Sequence, residues 1–319
     1  AGPYRCPLGE AQKGLWVLQS LYPESGEYNV PLAFRVKSAD GAALAKALDR
    51  LVAEYPILGT RIVEEDGDPV LCARPEGVEL QSLVMPKEVE TAGFLRQRVL
   101  LPFDLATGVF RVEHLSGGKL GPDESIVLLN AHHMVTDGIS SAVITRRFWS
   151  AYERFCRSEQ VPAKSDSADY SDFAAWEAAF AASDEGQAQK HYWLEKLADP
   201  APVLKLPAKT RSGGASASNG QDLEIRLPED LTSRLRDLAK NEGVSPASIY
   251  LTAFATLLYR YTGEEDLVVG VPTLRRPSRR FEETVGYCAN MIALRLAVDP
   301  ELSFGPFSKD IHAALGEGL

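Results

Sequence analysis

Ser125-Ile-Val-Leu-Leu-Asn-Ala-His-His-Met-Val-Thr-Asp-Gly-Ile-Ser-Ser141 is the stretch around which this chain is organised. Ser125 to Asn130 is apolar at its centre, the composition of a strand buried on both faces. Two histidines, three spacer residues and Asp137-Gly138 follow. From Ile139 to Arg157, apolar residues recur at helical spacing: Ala142, Val143, Phe148, Trp149, Tyr152 and Phe155. The pattern predicts His132 and His133 where a core strand ends, and Asp137 just ahead of a helix. Strand and helix both fix the backbone, so this is a rigid place for a proton-transfer group.

Adjacent strand residues point to opposite faces, so one histidine is expected to face a cleft and the other to be packed inside. Asp137 follows His133 by four residues across a turn and can fold back beside it. Its carboxylate there would accept a ring N–H, or brace the loop by pairing with an arginine. Gly138 has no side chain and leaves room for close approach. On spacing alone, a packed histidine pair beside an ordinary Asp-Gly turn explains the pattern as well as a catalytic site does.

The 319 residues exceed a typical single core, so two lobes are expected, 1–165 and 166–319. With 45% apolar and 24% charged residues the composition is that of a soluble protein, and a net charge of −10 argues against a nucleic-acid partner. Cys6, Cys72, Cys156 and Cys288 are scattered, with no CxxC pair, and read as free thiols of a reducing compartment. The opening residues are no signal peptide, and the most apolar helix, 247–259, is too short and polar to span a bilayer. The expected location is the cytoplasm, away from any membrane.

In the first half, helices are expected over 9–21, from Asp40 to Pro56, over 87–100 and after Asp137. Strands are expected over 31–37, 60–65, 69–74, 109–115 and 125–130, with a hairpin around Asp66-Gly67. Residues 158–169 read as a linker, followed by helices 170–182 and 184–197 and a Gly/Ser-rich loop over 208–220. The second half has strand 221–227, helices 228–240 and 245–261, strand 267–271, an arginine-rich segment (Arg275, Arg276, Arg279, Arg280) that reads as solvated, a largely strand segment 285–298 and helix 304–315. Strands alternating with helices in both halves predict two α/β lobes.

Competing chemistries fit poorly. Gly138-Ile-Ser-Ser-Ala142 lacks the second glycine of a nucleophile elbow. There is no phosphate-binding glycine loop with lysine and no dinucleotide fingerprint. The diverging histidines and the want of a third ligand cluster argue against a metal site.

His132-His133-Met134-Val135-Thr136-Asp137-Gly138 resembles the HHxxxDG signature of nonribosomal peptide synthetase condensation domains and related acyltransferases. The likeness extends along the chain. Leu8-Gly-Glu-Ala-Gln-Lys-Gly-Leu-Trp16 is similar to the family's opening motif, and Pro102-Phe-Asp-Leu105 with Gly108 and Arg111 to its PFDLxxGPLxR stretch. Tyr170-Ser-Asp-Phe-Ala-Ala-Trp176 resembles YxDYAxW, and Val285-Gly-Tyr-Cys-Ala-Asn-Met291 resembles IGxFVNT. The resemblance implies an α/β fold of two chloramphenicol-acetyltransferase-like lobes in a V-shaped pseudo-dimer, with a tunnel between them. It assigns His133 the catalytic role, His132, Asp137 and Gly138 supporting roles, and Ser140 and Asn290 places along the tunnel.

The implied reaction forms an amide between a carrier-bound acyl thioester and a carrier-bound aminoacyl acceptor. The partners are then donor and acceptor carrier proteins and neighbouring synthetase or synthase domains. No cofactor or metal is bound by the domain itself; the 4'-phosphopantetheine belongs to the carriers. Gln12-Lys-Gly-Leu-Trp16 and Tyr28-Asn-Val-Pro-Leu32 resemble domains of mixed polyketide–peptide assembly lines, which implies a polyketide-type donor.

Two departures stand out. Where the family carries an arginine that pairs with the signature aspartate, this chain has Gly59, and Arg61, two residues on along the same strand face, is the expected substitute. The family's last two motifs are absent, so the second lobe is expected to be incomplete at its C-terminal end. The same fold also hosts epimerisation domains, ester-forming acyltransferases and, as another class, non-catalytic recruitment or docking domains. Cyclisation domains, which carry aspartates where His132 and His133 stand, are disfavoured.

Overall fold

A computed structural model describes residues 4–163, 167–200, 203–206 and 223–318. The chain forms, in order, β1 (Arg5–Pro7), α1 (Glu10–Leu21), β2 (Asn29–Lys37), α2 (Gly41–Glu54), β3 (Thr60–Glu65), β4 (Asp68–Ala73), β5 (Leu80–Met85), α3 (Thr91–Leu100), β6 (Phe110–Gly117), β7 (Glu124–His132), α4 (Gly138–Cys156) and α5 (Tyr170–Ala182). It continues with α6 (Asp184–Lys196), α7 (Glu229–Glu242), α8 (Pro246–Thr262), β8 (Asp266–Leu274), β9 (Ala289–Ala297) and α9 (Phe304–Gly318).

Two compact units emerge, Ala1–Ala182 with Leu274–Ala289, and Ser183–Thr273 with Asn290–Leu319. A single cut at 165 does not describe them, because α5 and the arginine-rich segment return to the first unit. Thr284 Oγ1 donates to the Ala168 carbonyl at 2.8 Å, and the Ala168 amide donates to the Arg280 carbonyl at 2.8 Å.

In the first unit β7 is the central strand of the sheet β2-β7-β6-β5, antiparallel to both neighbours, while β5 runs parallel to β6. Its apolar run is explained by burial on both faces. Val127, Leu129 and Ala131 join Leu44, Leu48 and Leu51 of α2 and Val143, Ile144 and Phe148 of α4 in the main core. Ile126 and Leu128 face the other way, against Phe94, Leu95 and Val99 of α3. A second sheet, β1-β4-β3, contains the hairpin at Asp66 (φ 53°) and Gly67 (φ 89°), the left-handed pair that closes a two-residue hairpin loop.

The second unit packs Ala255 and Leu258 of α8, Leu267, Leu294 and Leu296 of the β8-β9 pair, and Phe307 and Ile311 of α9. Ser245 caps α8 through the Ser248 amide at 3.1 Å with Pro246 as the first helical residue, as the sequence predicts.

Three expectations change. The helix expected from Lys87 starts at Thr91, after a strand, β5, that the sequence pattern does not predict. Of the strand expected over 221–227, residues 223–227 are irregular, and Leu223 and Ile225 are exposed, since among the described residues no strand pairs with them. Val285–Cys288 is not strand, because its amides bond side chains of the site instead of a neighbour. The glycine-rich stretch 208–220 and part of the 158–169 linker lie outside the described residues. Among the described residues no helix is long and apolar enough to cross a membrane.

Candidate active site

β7 ends at His132, a single 3-10 turn carries His133 to Val135, and Asp137 caps α4 by accepting the Ser140 amide at 2.8 Å. The two histidines part because the strand ends between them, His132 being its last residue and His133 the first of the turn. His132 is fully buried; its Nδ1 accepts the Met134 amide at 3.2 Å and its Nε2 lies 3.3 Å from Gln19 Oε1. Burial, and secondarily the neighbouring His133, push its pKa down to about 4, so it is neutral at physiological pH. His133 is half-buried, held by its amide's bond to the Tyr28 carbonyl at 2.7 Å. Its ring meets Tyr287 edge-to-face, centroids 5.2 Å apart at 89°, and its Nδ1 is buried with no partner among the described residues.

Asp137 is 1% exposed and saturated. Oδ1 accepts from the Ser140 amide, the Ser140 hydroxyl and Arg276 Nη2, at 2.8, 2.8 and 2.9 Å. Oδ2 accepts from Arg276 Nη1 at 3.0 Å and the Cys288 amide at 3.1 Å. The arginine partner is therefore Arg276, not Arg61. Arg61 sits on β3, opposite Cys72 in the other sheet of this unit, whereas Arg276 spans 139 positions of sequence to make a two-pronged pair. A side chain at Gly59 would be crowded, its Cβ 2.8 Å from Val52 Cγ1. The arginine-rich segment is accordingly not simply solvated. Arg276 is buried in this pair, and Arg275 bonds Glu177 at 3.1 Å while lying over the Trp176 ring.

Ser140 does not line an open channel. It is fully buried, with Oγ 2.8 Å from Asp137 Oδ1 and 2.9 Å from the Gly286 carbonyl, accepting from the Gly286 amide at 3.1 Å and Arg276 Nη2 at 3.2 Å. Asn290 belongs to the second unit, where its Oδ1 accepts the Met291 amide at 2.9 Å. Gly138 opens α4 with nothing within 4 Å of where a Cβ would stand.

Together Asp137, Arg276 and Ser140 pin the loop 284–288, and this pinning sets Tyr287 against His133. Gly286 is required there, because a Cβ would lie 2.0 Å from Tyr170 Cδ2. Burial pushes the Cys288 thiol up to about 12, which makes it an inert neighbour rather than a nucleophile. Sequence reasoning missed Gln12, Gln19, Arg276 and Tyr287. Gln12 is fully buried on α1 and donates to the Met134 carbonyl at 2.6 Å. Apolar spacing carried no signal for it, since Leu18 and Leu21 of α1 are exposed and its buried positions are Gln12, Leu15 and Gln19.

A family model described as "Condensation domain" matches residues 4–318. The chain belongs to the condensation-domain family. This condensation domain is 32% identical to polyketide synthase PksN of Bacillus subtilis over 99% of its own length and 6% of the relative's. It is 29% identical to phosphinothricin tripeptide synthetase PhsC of Streptomyces viridochromogenes, over 98% of its length and 29% of the relative's. Among solved structures, the first condensation domain of the calcium-dependent antibiotic synthetase superposes with a TM-score of 0.82 at 26% identity, covering 98% of this chain and 75% of that one. The condensation domain of the polyketide synthase MokA shares the fold, with a TM-score of 0.80 at 21% identity, over 100% of this chain and 74% of that one. The fold is thus the chloramphenicol-acetyltransferase-like α/β fold of condensation domains, which are acyltransferases that form amide bonds in synthetases and work with phosphopantetheine-bearing carrier proteins.

Proposed function

We propose that this domain transfers an acyl group, peptidyl or polyketidyl, from a carrier-bound thioester to the amine of a second carrier-bound aminoacyl group, with His133 as the catalytic residue. One observation carries the assignment. Of the three titratable side chains in the signature, His132 has both ring nitrogens engaged and Asp137 has both oxygens engaged, while the half-buried His133 ring makes no hydrogen bond among the described residues. Only the last is free to take a proton.

The thioester is already activated, so positioning contributes much of the acceleration. The amine nitrogen attacks the thioester carbonyl carbon, the C–N bond forms and the C–S bond breaks. The His133 imidazole accepts the proton the amine gives up and returns it to the departing phosphopantetheine thiolate. Asp137 and Arg276 act as positioning residues, since both carboxylate oxygens and both terminal guanidinium nitrogens are committed to the knot they share. The likeness to PksN supports a polyketide-type donor for this chain.

The test loads donor and acceptor carriers and reads the products by intact mass, with amine, alcohol and no acceptor in parallel. His133→Ala should abolish the amide product while leaving the circular dichroism spectrum and melting curve unchanged. Full activity in that variant refutes the role. Product only with the alcohol would identify an ester-forming enzyme, inversion without acceptor an epimerase, and carrier binding without turnover a recruitment domain.

A further inference from the structure

His132 is bonded in a way that defines where its proton sits. Gln19 of α1 is buried, and its amide nitrogen reaches the Pro23 and Ser25 carbonyls at 3.1 and 3.4 Å. A carbonyl can only accept, so the amide nitrogen of Gln19 is the end that meets them and its oxygen is the end turned to the imidazole, 3.3 Å from Nε2. Nε2 therefore carries the proton and donates, and Nδ1 keeps its lone pair for the Met134 amide at 3.2 Å. That bond closes the turn His133–Val135. Gln12, two helical turns before Gln19, holds the Met134 carbonyl, so one face of α1 secures both polar groups of this residue.

We propose that Gln19 is a positioning residue for His133: by fixing the tautomer of His132 it keeps the Met134 amide bonded and the His133 turn in place. The inference rests on His133 being the proton acceptor. The titratable and charged groups around the ring are few. His133 is adjacent, Tyr28 lies 6.3 Å away, and Arg111 sits over the uncharged ring of Phe103, itself 6.2 Å from the imidazole. Glu24 and Asp104 line the cavity that Gln19 shares with Phe103. No carboxylate makes a hydrogen bond to His132 among the described residues, so burial keeps the imidazole uncharged while the neutral oxygen of Gln19 orients it.

Gln19→Glu places a carboxylate against Nε2 and favours the imidazolium, whose Nδ1–H cannot accept from Met134. As pH falls, kcat should then be lost at higher pH than in the unaltered domain, with KM little changed. Gln19→Met removes the acceptor at every pH and should lower kcat roughly two- to tenfold without moving the acid limb. A readout independent of turnover is nitrogen NMR of the His132 ring, expected to show Nε2 protonated and Nδ1 bare, with the titration displaced upward in Gln19→Glu. The opposite tautomer, or a Gln19→Glu profile that superimposes on the unaltered one, overturns the proposal. Because the NMR measurement needs no reaction, a domain that forms no amide would leave the tautomer result standing and would count against His133 instead.

Discussion

Arg276→Ala is the most informative perturbation of the site. It removes the two guanidinium bonds to Asp137 and leaves a carboxylate that is 1% exposed with only the Ser140 amide and hydroxyl and the Cys288 amide as donors. It also frees the Thr284 carbonyl, which Arg276 Nη2 bonds at 3.1 Å. Taking one partner from a buried ion pair costs about 3–5 kcal/mol, because the remaining charge stays desolvated. Here three neutral donors remain, so the lower half of that range is expected, roughly 3 kcal/mol. Arg276→Lys restores charge but not the fork, and should recover less than half of the loss. Urea unfolding followed by far-ultraviolet circular dichroism measures the change as a shift in midpoint at constant slope. Activity should fall further than stability explains at saturating substrate, since the loop 284–288 carries Tyr287 to His133. In the cycle with Asp137→Asn the two changes should be strongly non-additive. A loss below about 1 kcal/mol for Arg276→Ala, or additivity in the cycle, would refute the argument that this pair holds the loop.

Further outcomes follow from the same geometry. Tyr287→Phe should retain most activity because the edge-to-face contact with His133 needs only the ring, whereas Tyr287→Ala should lose about 0.5–1.5 kcal/mol of orientation, read as a several-fold fall in kcat. Gly286→Ala drives a methyl into Tyr170 Cδ2 and should destabilise by about 1–3 kcal/mol or more, seen as a lower melting temperature. His132 is depressed in the folded state from 6.5 to about 4, so the unfolded chain binds the extra proton first; stability should fall as pH drops from about 6.5 and reach a loss of roughly 3 kcal/mol by about pH 4, measurable as a declining urea midpoint that His132→Gln flattens. Leu129→Ala, in the central strand, should cost about 2–5 kcal/mol in the same assay.

Much of the site can be read along the chain because its parts are local. The run Ser125–Asn130 had to be a strand buried on both sides, since its apolar residues face α2 and α4 on one side and α3 on the other. Strand alternation anticipates the divergence of His132 from His133, which the structure achieves by ending the strand between them, and the cap of Asp137 on Ser140 follows from four consecutive residues. Arg276 was different. Four arginines crowd the segment 275–280, and nothing in their local pattern separates the one that is buried from those that are solvated. The same holds for Val285–Cys288, whose composition suits a strand but whose amides find Asp137 and Ser140 instead of a neighbouring strand.

The order of residues was enough to place a central strand, a histidine pair at its end and a capped helix beyond it, because hydrophobic period and capping act over a few residues. It could not choose which arginine neutralises Asp137, which glutamine orients His132 or which ring lies against His133. Those partners lie 139, 113 and 154 positions away, and their selection depends on which groups remain unpaired once the sheet and helices have closed around them.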